Sequence, residues 1–157
     1  MTALSFHIAT EPIPKERARV SFGRNGARAY TPAKTVNFEA EVRAAFLSAR
    51  SAANTTEKFE GAIRIHITAI RSNHRRADWD NIAKAVTDAL NKIAWADDNQ
   101  IVDAHVIKIV NKNEVGITVE ILEVNGEDYG YKPPKAKTIR STRPKRRASR
   151  RLHRRAW

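Results

Sequence analysis

The chain has 157 residues, 41% of them hydrophobic, so its length and composition predict a single domain with a modest core. No apolar run approaches the roughly 20 residues that span a bilayer, and no basic segment leads into an apolar one at the N-terminus, so we expect neither a membrane segment nor a secretory signal. The chain contains no cysteine, which excludes disulfides and thiolate metal sites and is typical of a cytoplasmic protein.

The positive charge is concentrated in a C-terminal tail. Lys and Arg total 29 against 17 Asp and Glu, for a net charge of +12. Twelve of the basic residues and none of the acidic ones lie in 131–157, so residues 1–130 hold 17 of each sign and are neutral. We therefore predict a folded domain over 1–128 and a tail over 129–157 that has too few apolar side chains to order itself.

The residue pattern in the first third of the chain predicts short strands. Residues 4–9 read as a strand, and the two prolines within 11–20 exclude a helix there. Residues 19–31 predict a hairpin that turns between Gly23 and Gly26.

A long helix is predicted next, over residues 32–53. Thr31 is the expected N-cap, and Pro32 suits the first helical position because it lacks a backbone N–H. The apolar side chains recur at helical spacing, which predicts one buried face made of Phe38, Val42, Ala45, Phe46 and Ala49.

The second half predicts strand, helix, strand, strand. Residues 61–70 alternate apolar and polar side chains as a half-buried strand does, and a helix is expected from about 80 to 92. Two further strands, 100–110 and 114–124, are separated by a tight turn over 111–113. This order predicts an α+β (mixed α/β) fold, a mixed sheet with two main helices packed on it.

Four acidic residues flank the second helix. Asp78 and Asp80 lie where a strand ends and a helix begins, and residues two apart in extended chain point the same way. Two such carboxylates repel unless a proton or cation lies between them, and hard oxygen ligands without cysteine suit Mg²⁺ or Mn²⁺. Asp97 and Asp98 follow the helix, and one of them could complete a three-carboxylate site if the loop returns to the first pair.

Simpler explanations exist for each of these residues. Asp78 or Asp80 could cap the helix, and Asp97 with Asp98 could form a turn. Lys84 and Asp88 continue the helical face of Asp80 at four-residue spacing, so Lys84 could stabilise charge on a phosphate or belong to a solvated row of weak ion pairs.

The segment 75–100, RRADWDNIAKAVTDALNKIAWADDNQ, resembles the RusA family of Holliday junction resolvases. It matches the family's D-x-D-N, its lysine four residues after the second aspartate, its D-A-L, and its aromatic residue before D-D-x-Q-V, with Ile101 where valine is common. The resemblance covers about residues 4–124, because PKERAR at 14–19 and YTP at 30–32 also fit.

The resemblance implies a small, homodimeric, Mg²⁺-dependent endodeoxyribonuclease of prokaryotic or phage origin, with Mn²⁺ as an alternative metal. It would resolve four-way (Holliday) DNA junctions by paired symmetric nicks and need no small-molecule cofactor. The implied metal ligands are Asp78, Asp80 and Asp98, which with Lys84 form the implied catalytic set, while Asp88 and Asp97 match auxiliary positions. Of the last acidic pair, Asp97 is expected to hydrogen-bond the loop.

Several basic residues are candidates for binding DNA phosphates. Arg75 and Arg76 precede the acidic cluster, and Lys15, Arg17 and Arg19 form a second basic segment that could equally be a solvated loop. The tail would add non-specific affinity by releasing counterions.

Three aromatic side chains have other expected roles. Trp95 is expected to pack the helix end against the sheet, with stacking on an unpaired base as the alternative. His66 and His105 lie on strands and are expected to be surface or hydrogen-bonded residues.

Two other functions compete with junction resolution. A non-catalytic, basic nucleic-acid-binding protein would explain the tail but gains nothing from carboxylates that face phosphate. A nuclease acting on forks or flaps would use the same chemistry on another substrate.

Overall fold

Over the residues that the structure describes, the fold combines six strands with two main helices. The structure, a computed structural model, describes residues 2–24, 26–74 and 77–133. The elements follow in the order β1 (Ala3–Ile8), β2 (Arg19–Gly23), β3 (Gly26–Tyr30), α1 (Ala33–Ala52), β4 (Ala62–Arg71), α2 (Trp79–Leu90), β5 (Ile101–Val110) and β6 (Gly116–Val124). Short 3-10 helices at Asp98–Gln100 and Gly126–Tyr129 follow α2 and β6. The α+β prediction is confirmed, and no helix in these ranges is long and apolar enough to cross a membrane.

Four strands form the main sheet, in the order β1-β6-β4-β5. β4 and β5 are parallel, whereas β6 is antiparallel to both β4 and β1. Parallel neighbours need a crossover connection, and here α2 supplies it. The chain therefore runs along β4, returns through α2 and runs along β5 in the same direction.

β5 and β6 are consecutive in the chain but are not neighbours in the sheet. The sequence predicted a tight turn between them over 111–113, and the structure instead inserts β4 between the two strands. The physical reason is burial, since Ile63, Ile65 and Ile67 of β4 are fully covered and need strands on both sides. This arrangement leaves β5 at an edge.

α1 begins one residue later than predicted. Pro32 is the N-cap, with an extended ψ of 141°, and its carbonyl oxygen accepts the backbone N–H groups of Thr35 and Val36 at 3.0 and 3.2 Å. Thr31 is therefore not the cap that the sequence predicted. The buried face is the expected one, with Phe38, Val42 and Phe46 fully covered.

The core lies between one face of the sheet and both helices. Each fully buried isoleucine of β4 contributes about 1.5–3 kcal/mol relative to an exposed one. The opposite face of the sheet, which we call the open face, carries polar residues such as Arg64 and His66 together with half-exposed Ile107, Ile109 and Leu122.

β2 and β3 form a separate hairpin, as predicted. Gly23 pairs with Gly26, whose φ of +99° is a conformation that glycine adopts readily. All its described residues are exposed, and the side chain of Phe22 is 85% accessible. An isolated two-stranded hairpin is only marginally stable, so this one is suited to contact another surface.

Candidate active site

The first acidic pair lies at the N-terminus of α2. Asp78 occupies the N-cap position, with extended dihedrals, but its side chain makes no capping hydrogen bond. Asp80 lies in the first helical turn, and both residues are exposed. Capping thus does not explain the carboxylate of Asp78. The pair also lies where helical N–H groups and the positive end of the helix dipole favour negative charge.

Two contacts fix where this helix begins. The Lys108 ammonium donates to the carbonyl oxygen of Ala77 at 2.9 Å, and the backbone N–H of Lys15 donates to the carbonyl oxygen of Asn81 at 2.8 Å. Lys108 is near the C-terminal end of β5, so the first acidic pair lies at that end of the sheet.

Lys84 and Asp88 form the contact that their spacing predicts. The Lys84 ammonium lies 3.3 Å from Asp88 Oδ1, and the lysine side chain remains 61% exposed. Asp88 Oδ2 also pairs with Lys15 at 2.9 Å, so this one carboxylate links two lysines. Lys84 is held loosely enough to reach a ligand placed beside α2.

The Lys15 ammonium is enclosed by carboxylates from both helices. It lies 2.5 Å from Glu39 Oε1 of α1 and 2.9 Å from Asp88 Oδ2 of α2. Burial lowers the pKa of Lys15, but the hydrogen bonds and charges of Glu39 and Asp88 outweigh it and raise the pKa above 10.5. In this geometry Lys15 joins α1 to α2 instead of pointing into solvent.

The second acidic pair is built into the loop before β5. Asp97 Oδ1 accepts the backbone N–H of Asn99 at 3.0 Å, and Asp97 forms a capping box with Gln100. The Asn99 N–H, together with the Lys92 ammonium 3.4 Å away, holds the pKa of Asp97 below its ordinary value. Asp97 therefore has the loop-bonding role expected of it.

Asp98 is oriented by a buried aromatic residue. Trp95 is fully buried, and its Nε1 donates to Asp98 Oδ1 at 2.8 Å. The packing role predicted for Trp95 is confirmed, and stacking on a base is excluded while the residue stays covered. The indole also fixes one oxygen of Asp98.

Gln100 anchors this loop, a role that the sequence interpretation missed. The buried amide accepts the N–H groups of Ala96 and Asp97 at 2.8 and 3.1 Å and donates to the carbonyl oxygens of Phe59 and Gly61 at 2.9 and 3.0 Å. The D-x-x-Q spacing is that of a capping box and could have revealed it.

The two acidic pairs lie at opposite ends of the βαβ unit. The loop of Asp98 is bonded to the residues just before β4, whereas Asp78 is beside the far end of β5. The 12 residues of α2 separate them by about 18 Å along the helix axis. Among residues 2–24, 26–74 and 77–133, no three Asp, Glu, His or Cys side chains form a group that could hold a metal ion.

The donor set of one chain therefore fits only part of a three-carboxylate centre. Asp78 and Asp80 have the hard oxygen chemistry for Mg²⁺, and Asp98 does not reach them within the same chain. The physical reason is the parallel pairing of β4 with β5, which sends α2 the whole length of the sheet before Asp98 is reached.

The predicted DNA-binding residues have different environments. Arg17 is exposed, and Arg19 is 65% exposed with Glu16 3.0 Å away. Arg75, Arg76 and residues 134–157 lie outside the described residues. The sequence interpretation did not anticipate the two most exposed aromatic side chains among the described residues, namely Phe22 on the hairpin and Trp79, which is 59% exposed between the two aspartates. A polar residue on each side of Trp79 was the available signal.

The histidines on the strands contact carboxylates, as expected of surface residues. His66 Nδ1 lies 3.5 Å from Glu120 Oε2, and His105 Nε2 lies 3.0 Å from Asp103 Oδ1. Both are on the open face, away from the helices.

Comparison with known proteins identifies relatives over most of the domain. The family model for endodeoxyribonuclease RusA matches residues 9–122. The crossover junction endodeoxyribonuclease RusA of Aquifex aeolicus (strain VF5) is 26% identical over 127 residues, which cover 77% of this chain and 92% of that protein. The protein of the same name from Escherichia coli (strain K12) is 36% identical over 66 residues, 41% of this chain and 55% of the relative.

Proposed function

Because the chain belongs to the RusA family and is an endodeoxyribonuclease, we propose that it resolves four-way DNA junctions from an active site centred on Asp78 and Asp80. The observation that carries this assignment is the start of α2, where an N-cap aspartate makes no capping bond and a second exposed aspartate follows two residues later. Two exposed carboxylates two residues apart, the first of which makes no capping bond, suit a hydrolytic centre.

The metal in this proposal is Mg²⁺, with Mn²⁺ as an alternative. Carboxylate oxygens of Asp78 and Asp80 would bind it, and Asp98 is the third proposed ligand. When bound, such an ion supplies a Lewis acid that lowers the pKa of water and neutralises phosphate charge.

The remaining residues of α2 act on the phosphate. Lys84 is four residues beyond Asp80, and its largely exposed ammonium would offset the charge that develops on the scissile phosphate. In the absence of DNA, Asp88 holds the Lys84 ammonium near α2. Asp88 also pairs with Lys15, which links Asp88 to Glu39 of α1. Asp97 contributes indirectly, because it braces the loop of Asp98.

The proposed DNA surface is basic and carries exposed aromatic residues. Arg17 and Arg19 lead into the hairpin, and Arg75 with Arg76 precede the acidic pair, so all four are assigned to phosphate contacts. Lys15 keeps this assignment only in part, since its ammonium already has two carboxylate partners. Phe22 is exposed enough to stack on an unpaired base at a branch point.

The proposal includes a homodimer, because a two-fold protein suits paired nicks in a junction of near two-fold symmetry. It also has the enzyme act in a prokaryotic cytoplasm, from a chromosomal or phage gene. The basic tail over 129–157 would add affinity that does not depend on DNA structure.

A panel of labelled DNA substrates tests the assignment. A four-way junction, a fork, a flap and a linear duplex are incubated with the protein, each with and without Mg²⁺. Metal-dependent, symmetric cuts in the junction alone are expected. Preferential cutting of forks or flaps would instead favour a nuclease acting on those substrates. Binding to the DNA without cutting any of the four substrates would refute the assignment as an enzyme.

The Asp80→Asn variant tests the residues. It should abolish junction cleavage and leave junction binding intact, because it removes one negative charge and keeps the size of the side chain. Asp128→Asn makes the same change at an exposed position beyond β6 and should cleave normally. Cleavage by Asp80→Asn at the wild-type rate would refute the site.

A further inference from the structure

A lysine lies where the pattern of β5 favours an apolar side chain. The parallel register with β4 puts four residues on the face of β5 that is turned toward the helices, namely Ala104, Val106, Lys108 and Val110. The other three are apolar, and Lys108 is registered opposite Ala69, which is fully buried. A lysine in such a row keeps its charge only if its ammonium reaches water or a polar partner.

The partner of Lys108 is the backbone that carries the first acidic pair. Its ammonium donates to the carbonyl oxygen of Ala77 at 2.9 Å, and Ala77 is buried. Asp78 follows directly as the N-cap of α2, and its own carbonyl oxygen accepts the N–H of Ile82 at 3.2 Å. Lys108 therefore holds the chain one residue before the point at which α2 begins.

Two bonds from outside the helix bracket the acidic pair. The ammonium of Lys108 anchors the residue before the pair, and the backbone N–H of Lys15 donates to the carbonyl oxygen of Asn81 at 2.8 Å. Asp78 and Asp80 lie between these two anchored carbonyl groups. Of the two donors only Lys108 acts through its side chain, so its bond can be removed by substitution without changing the backbone.

Helix stability does not explain a lysine at this position. The unpaired backbone groups at a helix N-terminus are N–H donors, so they need acceptors and not an ammonium. The helix dipole also has its positive end there, and cations are stabilised at the opposite end. The groups of opposite charge at this end of α2 are the exposed carboxylates of Asp78 and Asp80, which points to a role for Lys108 at the acidic pair.

Resting on the proposed function, we propose that Lys108 is a positioning residue of the active site, which fixes Asp78 through the carbonyl group of Ala77. The bond keeps the backbone of Asp78 from fraying with the first turn of α2, so its carboxylate keeps one position relative to that of Asp80. A shift of about 1 Å in an active site can cost roughly 100-fold in rate, so loss of the bond should act on the chemical step. Junction affinity depends on phosphate contacts elsewhere and should be retained.

Two substitutions at Lys108 test this role in steady-state junction cleavage. Lys108→Met keeps much of the length of the side chain and removes the donor, so kcat should fall about 10- to 100-fold while KM stays within about three-fold. Lys108→Arg keeps a charged donor and should recover at least about a third of the wild-type kcat. Lys112→Met removes the same charge from an exposed position just beyond the end of β5 and should cleave at the wild-type rate.

Amide hydrogen exchange in the metal-free protein gives a readout that does not depend on activity. The N–H of Ile82 bonds the carbonyl oxygen of Asp78, so its exchange reports whether the first turn of α2 is formed. Lys108→Met should speed exchange at Ile82 by at least about 10-fold. The N–H of Asn91, which bonds Thr87 at the other end of α2, is the internal control and should change less than about two-fold.

The outcomes separate this inference from the proposed function. If the wild-type protein resolves junctions but Lys108→Met keeps the wild-type kcat, or if Lys108→Arg is as slow as Lys108→Met, the positioning role is wrong and the enzyme assignment stands. Equal acceleration of exchange at Ile82 and Asn91 would also overturn it, because it would show a general loss of stability. If exchange speeds up at Ile82 alone but the wild-type protein cuts no junction, the hold on Asp78 stands and the proposed function fails.

Discussion

The amide of Gln100 is the most heavily bonded side chain in the loop that carries Asp98, and replacing it tests how that loop is held. Gln100→Leu keeps most of the side-chain volume and removes all four hydrogen bonds described above. The bonded groups are the N–H groups of Ala96 and Asp97 and the carbonyl oxygens of Phe59 and Gly61.

The expected loss of stability follows from the number of bonds and the burial of Gln100, which is 3% exposed. Each hydrogen bond contributes about 1 kcal/mol net, so the free energy of unfolding should fall by roughly 3–5 kcal/mol. At about 2–4 °C for each kcal/mol, the melting temperature should drop by about 6–20 °C. Since small domains are stable by only about 5–15 kcal/mol, the variant should fold but be markedly weakened.

Urea denaturation followed by circular dichroism measures this change. Asn99→Ala is the matched control, because Asn99 is adjacent and exposed, and it should alter the unfolding free energy by less than about 0.5 kcal/mol. Junction cleavage by folded Gln100→Leu should also fall, since Asp98 loses its support, while junction affinity is retained. A loss below about 1 kcal/mol would show that the loop is held by other contacts, and the reasoning would be wrong.

Three further predictions concern other parts of the chain. Lys15→Met should lower stability by roughly 1–3 kcal/mol, because it removes the lysine that pairs with Glu39 and leaves Asp88 with Lys84 alone. Because the folded pKa of Lys15 is raised, its contribution is present below pH 10.5 and is lost as pH rises through the folded pKa, so only the wild type should show that extra alkaline loss in unfolding titrations. Phe22→Ala should leave the melting temperature unchanged and weaken junction binding about 5- to 100-fold in a gel-shift titration, whereas Leu47→Ala, an exposed apolar change on α1, should do neither. Deleting residues 131–157 should weaken DNA binding and flatten its dependence on salt but keep the preference for junctions; loss of that preference would mean that the recognition surface lies in the tail.

Local pattern predicted most of the helices and strands. Alternation in β4, helical spacing in α1 and the glycines of the hairpin depend on residues close in sequence, so each could be recognised without a structure. The same holds for the contact of Lys84 with Asp88, which follows from the four-residue spacing along one helix. One error was equally local in scale, since the cap expected at Thr31 shifted by one residue. The tight turn expected between β5 and β6 was a non-local error, because β4 lies between these strands in the sheet.

By itself, the sequence determined which carboxylates are available, to which family the chain belongs and which helix carries the first acidic pair. Only the tertiary structure decided which carboxylates can meet. Alternation shows that β4 is apolar enough to need two neighbours, but it does not show whether β5 will pair with it in parallel or antiparallel. That choice depends on burial across the whole sheet, and the parallel pairing sends Asp98 to the opposite end from Asp78.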